Sequence, residues 1–122
     1  MKKKILIVED EKILAEMYKE KFEGENFEVF LAVESKEVLD IAKKEKPDLI
    51  LLDILLPKES GLSLLKQIKS DPEISQIPVL AFSNYDEPKT KKEALALGVS
   101  DYLIKTDYTP RQIVEKVKSY FK

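Results

Sequence analysis

The sequence predicts an α/β fold, a doubly wound five-stranded parallel sheet covered by helices on both faces. Short unbroken apolar runs are typical of strands that are buried on both faces, and such strands belong to parallel sheets. Segments with helical periodicity fill the gaps between these runs. Strands that alternate with helices indicate right-handed βαβ crossovers, which place helices on both sides of the sheet.

Four of the five predicted strands end in a polar residue that can carry chemistry. The runs are residues 4–8, followed by Glu9 and Asp10; residues 49–52, followed by Asp53; residues 78–82, followed by Ser83; and residues 101–104, followed by Lys105. The second strand, residues 27–33, alternates in hydrophobicity and ends in no such group.

The first three helices have recognisable ends. The first follows Asp10, and Gly24 is placed to end it. The second has Ser35 as its expected N-cap and must end before Pro47, because proline disfavours a helical residue before it. The third runs from about residue 60 to residue 70, where Asp71 and Pro72 close it.

The last two helices differ in the strength of their signals. The fourth is weak, covers about residues 88–97 and ends at Gly98. The fifth has the clearest start, because Thr109 can cap it, Pro110 takes the first helical position and Gln112 completes a capping box.

Length and composition exclude several classes of protein. A chain of 122 residues fits one domain, so we expect a single domain over residues 1–122 with no output domain. The net charge is −2 with both signs mixed along the chain, which predicts no nucleic-acid binding. Cysteine and histidine are both absent, which excludes disulfides, thiolate metal sites and a histidine base. No run of about 20 apolar residues or signal peptide occurs, so we expect a cytoplasmic protein without membrane insertion.

The strand-end residues are expected to form one site. Ligands of open parallel sheets bind outside the carboxyl ends of the strands, where Glu9, Asp10 and Asp53 would meet Ser83 and Lys105. Two carboxylates about 4–5 Å apart repel by roughly 3–4 kcal/mol at an effective dielectric constant near 20. Three of them would shift their pKa values or recruit a cation, and carboxylate oxygens with water suit Mg²⁺.

Each of these residues also has an ordinary structural interpretation. Glu9 and Asp10 could cap the first helix, Asp53 could cap a strand end, Ser83 could bond local backbone and Lys105 could be solvated. Together they favour phosphoryl chemistry, because carboxylates can act as nucleophiles toward phosphoryl groups and lysine is a regular phosphate binder.

The full set of motifs resembles the receiver domain of two-component response regulators, most closely the stand-alone, chemotaxis-regulator-like receivers. The resemblance covers essentially the whole chain. It rests on Glu9 with Asp10, the Asp-x-x-x-Pro-x-x-x-Gly stretch from Asp53 to Gly61, Ser83, Tyr102 and Lys105. It implies a flavodoxin-like (βα)₅ fold with strand order 2-1-3-4-5.

The resemblance also implies how the site acts. Asp53 would accept a phosphoryl group from a phosphohistidine on a partner histidine kinase or histidine phosphotransfer protein. Asp10, Asp53 and the backbone carbonyl of Leu55 would hold Mg²⁺, with Glu9 assisting through water. Lys105 would contact the phosphoryl oxygens. The chain would be a signalling phosphoacceptor with slow self-dephosphorylation, and not a turnover enzyme.

A switch to a downstream protein target is implied as well. Ser83 would move to bond the acylphosphate and Tyr102 would turn inward, although an aromatic residue in the last strand is also ordinary packing. The face built from the fourth helix, the fifth strand and the fifth helix would then change its preference for partners.

The chain departs from the family pattern at four positions. Thr106 follows Lys105 where the family usually has proline in a cis peptide, which bears on the geometry of the following loop. Asn84 replaces a small residue and would narrow access for the phosphodonor. Leu55 and Tyr85 stand where other members often place polar groups that orient a hydrolytic water. We therefore expect a long-lived phosphoryl state.

Two other functions compete with this interpretation. A receiver-like interaction module would bind partners without being phosphorylated. A phosphohydrolase resembling the haloacid dehalogenase superfamily would also use a strand-end aspartate, but it needs a second aspartate two residues later, where this chain has Leu55. Nucleotide-binding loops are excluded because the three glycines are far apart.

Overall fold

A computed structural model describes residues 2–56, 60–84 and 87–121. Within these ranges, five strands alternate with five α-helices. The strands are β1 Lys3–Val8, β2 Phe27–Ala32, β3 Leu49–Asp53, β4 Val79–Ser83 and β5 Asp101–Ile104. The helices are α1 Lys12–Gly24, α2 Ser35–Glu45, α3 Gly61–Ser70, α4 Pro88–Ala96 and α5 Pro110–Lys118, with short 3₁₀ turns at Lys105–Asp107 and Ser119–Phe121.

The strands form one parallel sheet in the order β2-β1-β3-β4-β5. The predicted fold class and strand order are therefore confirmed. The order reverses direction between β1 and β3, and this switch point is where ligands of open α/β sheets bind. In register, Asp53 of β3 lies opposite Phe82 of β4, and Ser83 lies opposite Ile104 of β5.

The two faces of the sheet carry separate hydrophobic cores. Helices α1 and α5 cover one face, where Ile5 and Ile7 of β1 point, and α2, α3 and α4 cover the other, where Leu6 and Val8 point. Successive side chains of a strand point to opposite faces, so burial on both faces requires an unbroken apolar run. This explains why β3, whose five residues are all buried, has such a run in the sequence.

The start of α2 is where a predicted helix boundary was wrong. Ser35 is the first helical residue, and the N-cap position belongs to Glu34, whose backbone is extended. The carboxylate of Glu37, in the first turn, accepts a hydrogen bond of 3.0 Å from the backbone N–H of Val33. A glutamate in the first turn thus binds a backbone donor just ahead of the helix, and the helix begins without Ser35 as its cap.

The other predicted helix boundaries are confirmed to within about one residue. Helix α1 ends at Gly24, and α2 ends at Glu45, with Lys46 in the left-handed region at φ 47° just before Pro47. Gly98, just after α4, has φ 105°, a backbone conformation that residues other than glycine rarely adopt. Thr109 and Gln112 form the reciprocal capping box at the start of α5.

The helices of the described ranges are each too short or too polar to cross a bilayer.

Candidate functional site

The carboxyl edge of the sheet brings the three predicted acids together. Glu9 and Asp10 follow β1, and Asp53 is the last residue of the neighbouring strand β3. One carboxylate oxygen from each lies within 4.8 Å of the others. Such a separation between like charges is unfavourable unless a cation lies among them.

Lys105, at the start of the 3₁₀ turn after β5, supplies a cation to this cluster. Its ammonium donates to Glu9 Oε1 at 2.6 Å and to Asp53 Oδ2 at 3.1 Å. The lysine side chain is only 9% exposed, so these ion pairs are shielded from bulk water. Lys105 therefore bridges one carboxylate that follows β1 and one that ends β3.

The charge state of Lys105 results from two opposing effects. Burial lowers the pKa of the amine, because a low dielectric disfavours the charged form. The hydrogen bond to Glu9 and the negative charges of Asp53 and Glu9 raise it by more, so the net pKa lies above its usual value. The net direction favours the charged, ammonium form of Lys105.

Asp53 is held in a fixed orientation by contacts at both oxygens. The backbone N–H of Leu55 donates to Oδ1 at 2.9 Å, and Lys105 donates to Oδ2. The residue is only 4% exposed. A carboxylate oxygen has two lone pairs, so each oxygen keeps acceptor capacity beyond these contacts.

The two acids after β1 have different surroundings. Glu9 is buried, and its Oε2 accepts a hydrogen bond of 3.2 Å from the backbone N–H of Glu11. Asp10 is exposed and faces solvent beside them. The N-cap position of α1 belongs to Glu11, so neither Glu9 nor Asp10 is the N-cap residue of this helix.

Gly61, the last residue of the Asp-x-x-x-Pro-x-x-x-Gly stretch, lies directly against the backbone at Asp53. A Cβ on Gly61 would lie 2.5 Å from Ile54 Cα and 2.7 Å from the Asp53 carbonyl oxygen. The N–H of Gly61 also donates to the Ile54 carbonyl at 2.9 Å. The start of α3 therefore packs directly on the backbone that carries Asp53, and only glycine fits without displacing it. The Pro57 of this stretch lies outside the described residues.

The two predicted switch residues lie in the neighbouring strands. Ser83 ends β4 and is fully buried. Tyr102 lies in β5 opposite Ala81 and is 4% exposed, in the core beneath α2, α3 and α4. Its side chain is thus already buried in this structure, so the expected inward turn would have to start from a different, more exposed conformation.

Three departures from the family pattern lie at the site. Lys105 begins the 3₁₀ turn that contains Thr106, and none of the described peptide bonds is cis. Lys105 reaches Glu9 and Asp53 from that turn. Leu55 is half exposed, and it borders the site together with Asn84. The fourth departure, Tyr85, lies outside the described residues.

Two aromatic residues at the site were not predicted from the sequence. The Lys105 ammonium lies 4.6 Å from the centre of the Phe82 ring, and the Tyr18 and Phe82 rings form a T-shaped pair with the centroids 5.7 Å apart. Burial raises the pKa of Tyr18; Lys105 opposes this change, and Glu9 and Asp53 add to it. The sequence signal that could have indicated Phe82 is its position directly before Ser83, at the carboxyl end of the strand.

The donor set fits a hard divalent cation. The three acids and Lys105, with Glu11, Leu55 and Asn84, line a cavity of about 200 Å³. The clustered carboxyl groups of Glu9, Asp10 and Asp53 and the Lys105 amine sum to a formal charge of −2, which one divalent cation would balance. Ligation by oxygen alone favours Mg²⁺ over softer metals.

Comparison with known proteins identifies the family and the fold. The family described as "Response regulator receiver domain" matches residues 5–118. The polar-differentiation response regulator DivK of Brucella anthropi is 34% identical over 120 residues, which cover 98% of this chain and 97% of DivK. A crystal structure of a CheY-like response regulator receiver domain protein from Methanospirillum hungatei shares 28% identity at a TM-score of 0.89, covering 98% of this chain and 94% of that one.

A longer relative matches equally well. The alkaline phosphatase synthesis transcriptional regulatory protein PhoP of Bacillus subtilis is 36% identical over 119 residues, or 98% of this chain. The match covers 48% of PhoP, so this chain spans about half the length of that relative.

Proposed function

Because this chain belongs to the response regulator receiver domain family of two-component signalling, we propose that it is a Mg²⁺-dependent phosphoacceptor and that Asp53 is the residue phosphorylated. The donor is a phosphohistidine of a partner histidine kinase or histidine phosphotransfer protein. The observation that carries this proposal is the contact of 3.1 Å between Lys105 Nζ and Asp53 Oδ2, inside a cluster of three carboxylates.

In the proposed reaction, an oxygen of Asp53 forms a bond to phosphorus. The bond between phosphorus and the imidazole nitrogen of the donor breaks, and its electron pair stays on that nitrogen. Lys105 is placed to neutralise charge on the phosphoryl oxygens, and the Leu55 N–H keeps the carboxylate in one orientation. Positioning and charge neutralisation are the main contributions that proteins make to phosphoryl transfer.

The metal site is proposed from the same donor set. Asp10, Asp53 and the backbone carbonyl of Leu55 would hold Mg²⁺, with Glu9 acting through water. When bound, Mg²⁺ supplies positive charge that offsets the phosphoryl oxygens. The exposure of Asp10 fits a hydrated ion, because Mg²⁺ usually keeps several waters.

The output is proposed to be a change in protein binding. Ser83 would move to form a hydrogen bond with the acylphosphate, and Tyr102 would change its position as Ser83 moves. This would alter the face formed by α4, β5 and α5, where a downstream protein target binds. Receiver domains of this family act through kinases and downstream targets. The packing of α4 against β5 gives a direct path from Ser83 and Tyr102 to that face.

The phosphoryl group is proposed to be long-lived, and the protein to act in the cytoplasm as a signalling phosphoacceptor without catalytic turnover. Leu55 presents an apolar side chain beside Asp53, half exposed, where a polar group could orient a hydrolytic water. Decay of the adduct within seconds in the isolated protein with Mg²⁺ would contradict a long lifetime.

The test is the intact mass of the protein after incubation with acetyl phosphate and Mg²⁺. We expect one added phosphoryl group on the wild type and none on Asp53→Asn or in the presence of a chelator. Asp40→Asn, on the exposed face of α2, is the matched control and should be modified like the wild type. Absence of an adduct on the wild type, where another receiver is modified, would contradict the proposal and favour an unphosphorylated interaction module.

A further inference from the structure

We propose that Phe82 is a positioning residue for phosphoryl transfer, because the face of its ring, supported by Tyr18, holds the Lys105 ammonium beside Asp53. This inference rests on the proposed function of Asp53. It adds a residue that acts on Lys105 and does not touch the phosphoryl group.

The first argument is the contact itself. The ammonium lies 4.6 Å from the centre of the Phe82 ring, within the range of a cation–π attraction. Phe82 is fully buried and the Lys105 side chain is 9% exposed, so little water screens the contact. Such attractions are strongest at desolvated sites of this kind.

The second argument is that the ring has a fixed position. The Tyr18 and Phe82 rings form a T-shaped pair with an angle of 79° between the ring planes, and both side chains are buried. In the sheet, Phe82 lies between Asp53 of β3 and Leu103 of β5, and its carbonyl accepts from the Ile54 N–H at 3.2 Å. Phe82 thus belongs to the strand between the one that ends at Asp53 and the one that leads to Lys105, and its ring lies in the core on one face of the sheet.

The third argument concerns what the ring does for the lysine. Lysine has a flexible four-carbon stem, so its ammonium loses side-chain entropy whenever it is confined. Glu9 and Asp53 take two of its three N–H donors, and both bonds must adjust when a phosphoryl group arrives. The attraction to a ring face is less directional than a hydrogen bond. Lys105 can therefore exchange Glu9 for a phosphoryl oxygen and remain over Phe82.

The experiment replaces Phe82 with phenylalanines that carry one, two or three ring fluorines. Fluorine withdraws electron density from the ring face and changes the ring volume little. The matched control is the same series at Phe22, which is also fully buried on this face of the sheet but packs on another ring, that of Phe27. The readouts are the initial rate of phosphoryl incorporation from acetyl phosphate at saturating Mg²⁺ and the NMR shifts of the Lys105 ε-methylene protons.

We expect the rate to fall stepwise with fluorine number at Phe82, by about tenfold over the whole series, and to stay flat at Phe22. In the unmodified protein, the Lys105 ε protons should be shifted upfield by the ring current, and Phe82→Leu should remove this shift.

Three outcomes would overturn the inference. A flat rate series at Phe82 in a protein that is phosphorylated normally leaves the proposed function intact and removes the positioning role. Equal slopes at Phe82 and Phe22 would show a general packing effect. If the wild type accepts no phosphoryl group at all, both the proposed function and the positioning role fail, even where the ring-current shift shows that the contact exists.

Discussion

The buried ion pairs of Lys105 and the surface ion pair of Lys43 with Asp71 use the same chemical groups in opposite surroundings. Lys105 meets Glu9 at 2.6 Å with its side chain 9% exposed, whereas Lys43 meets Asp71 at 2.9 Å with its side chain 44% exposed. A hydrogen-bonded carboxylate raises the lysine pKa in both cases, but at Lys105 the largest effect is desolvation, which acts in the opposite direction.

The difference shows where charge can be used for chemistry. Surface pairs contribute little, because water and salt screen them. Burying a charge costs desolvation free energy unless partners of opposite charge compensate for it. Removing one partner leaves the remaining charge buried without that compensation. The cluster at the sheet edge holds three acids and one ammonium close together, so its interactions can respond to one metal ion or one phosphoryl group.

The largest expected effect comes from removing the buried cation. Lys105→Met should slow phosphoryl incorporation on the order of 100-fold, since loss of one preorganised charge-stabilising donor costs about this much in enzymes that use such donors. The measurement is intact mass against time with acetyl phosphate and Mg²⁺. Lys43→Met is the matched control and should keep the wild-type rate, and an equal loss in both variants would remove the distinction between the two regions.

Mg²⁺ should stabilise the fold by binding to the cluster of Glu9, Asp10 and Asp53. At a concentration 100 times its Kd, a ligand that binds only the folded state adds about 2.7 kcal/mol to the free energy of unfolding. The thermal midpoint should therefore rise with Mg²⁺ in the wild type and much less in Asp10→Asn. Glu16→Gln, on the exposed face of α1, is the control and should respond like the wild type. A midpoint insensitive to Mg²⁺ would contradict the assigned ligands.

Gly61→Ala tests the backbone frame that carries Asp53. The new Cβ would clash with the backbone of Asp53 and Ile54, so we expect a loss of about 1–3 kcal/mol in the free energy of unfolding by urea denaturation. Gly24→Ala is the control, because nothing lies within 4 Å of its Cβ position and its φ is not in the left-handed region. It should be neutral or slightly stabilising, and similar losses in both variants would refute the close-approach argument.

The smallest effect is expected at the surface pair. The hydrogen bond with Lys43 and that from the Glu73 N–H hold the pKa of Asp71 below its usual value. A depressed carboxylate pKa contributes stability that is present above the unfolded pKa, near 4, and is lost as the pH falls through the folded pKa.

The stability difference between wild type and Lys43→Met should therefore be small at neutral pH, should shrink further below pH about 4, and should fall with added salt. Urea denaturation at several pH values and salt concentrations measures this. A difference that grows on acidification would contradict the assigned pKa direction.

Much of the fold could be predicted because its signals are local. The unbroken apolar runs of β3 and β4 follow from burial on both faces, and the capping box of Thr109 and Gln112 uses residues three positions apart. Ser35 was wrongly predicted as a cap, because a competing local contact from Glu37 to Val33 was not considered.

Within the site, the sequence by itself determined which groups reach the carboxyl edge, because strand ends in a parallel sheet point the same way. It did not determine how they pair. Only the tertiary structure decided that Glu9 is buried while Asp10 is exposed, and that Lys105 bridges Glu9 and Asp53. Those contacts join residues 96 and 52 positions apart, and they depend on strand register and side-chain rotamers. The placing of Phe82 beneath Lys105 has the same origin, because strand pleating sets which core a side chain enters.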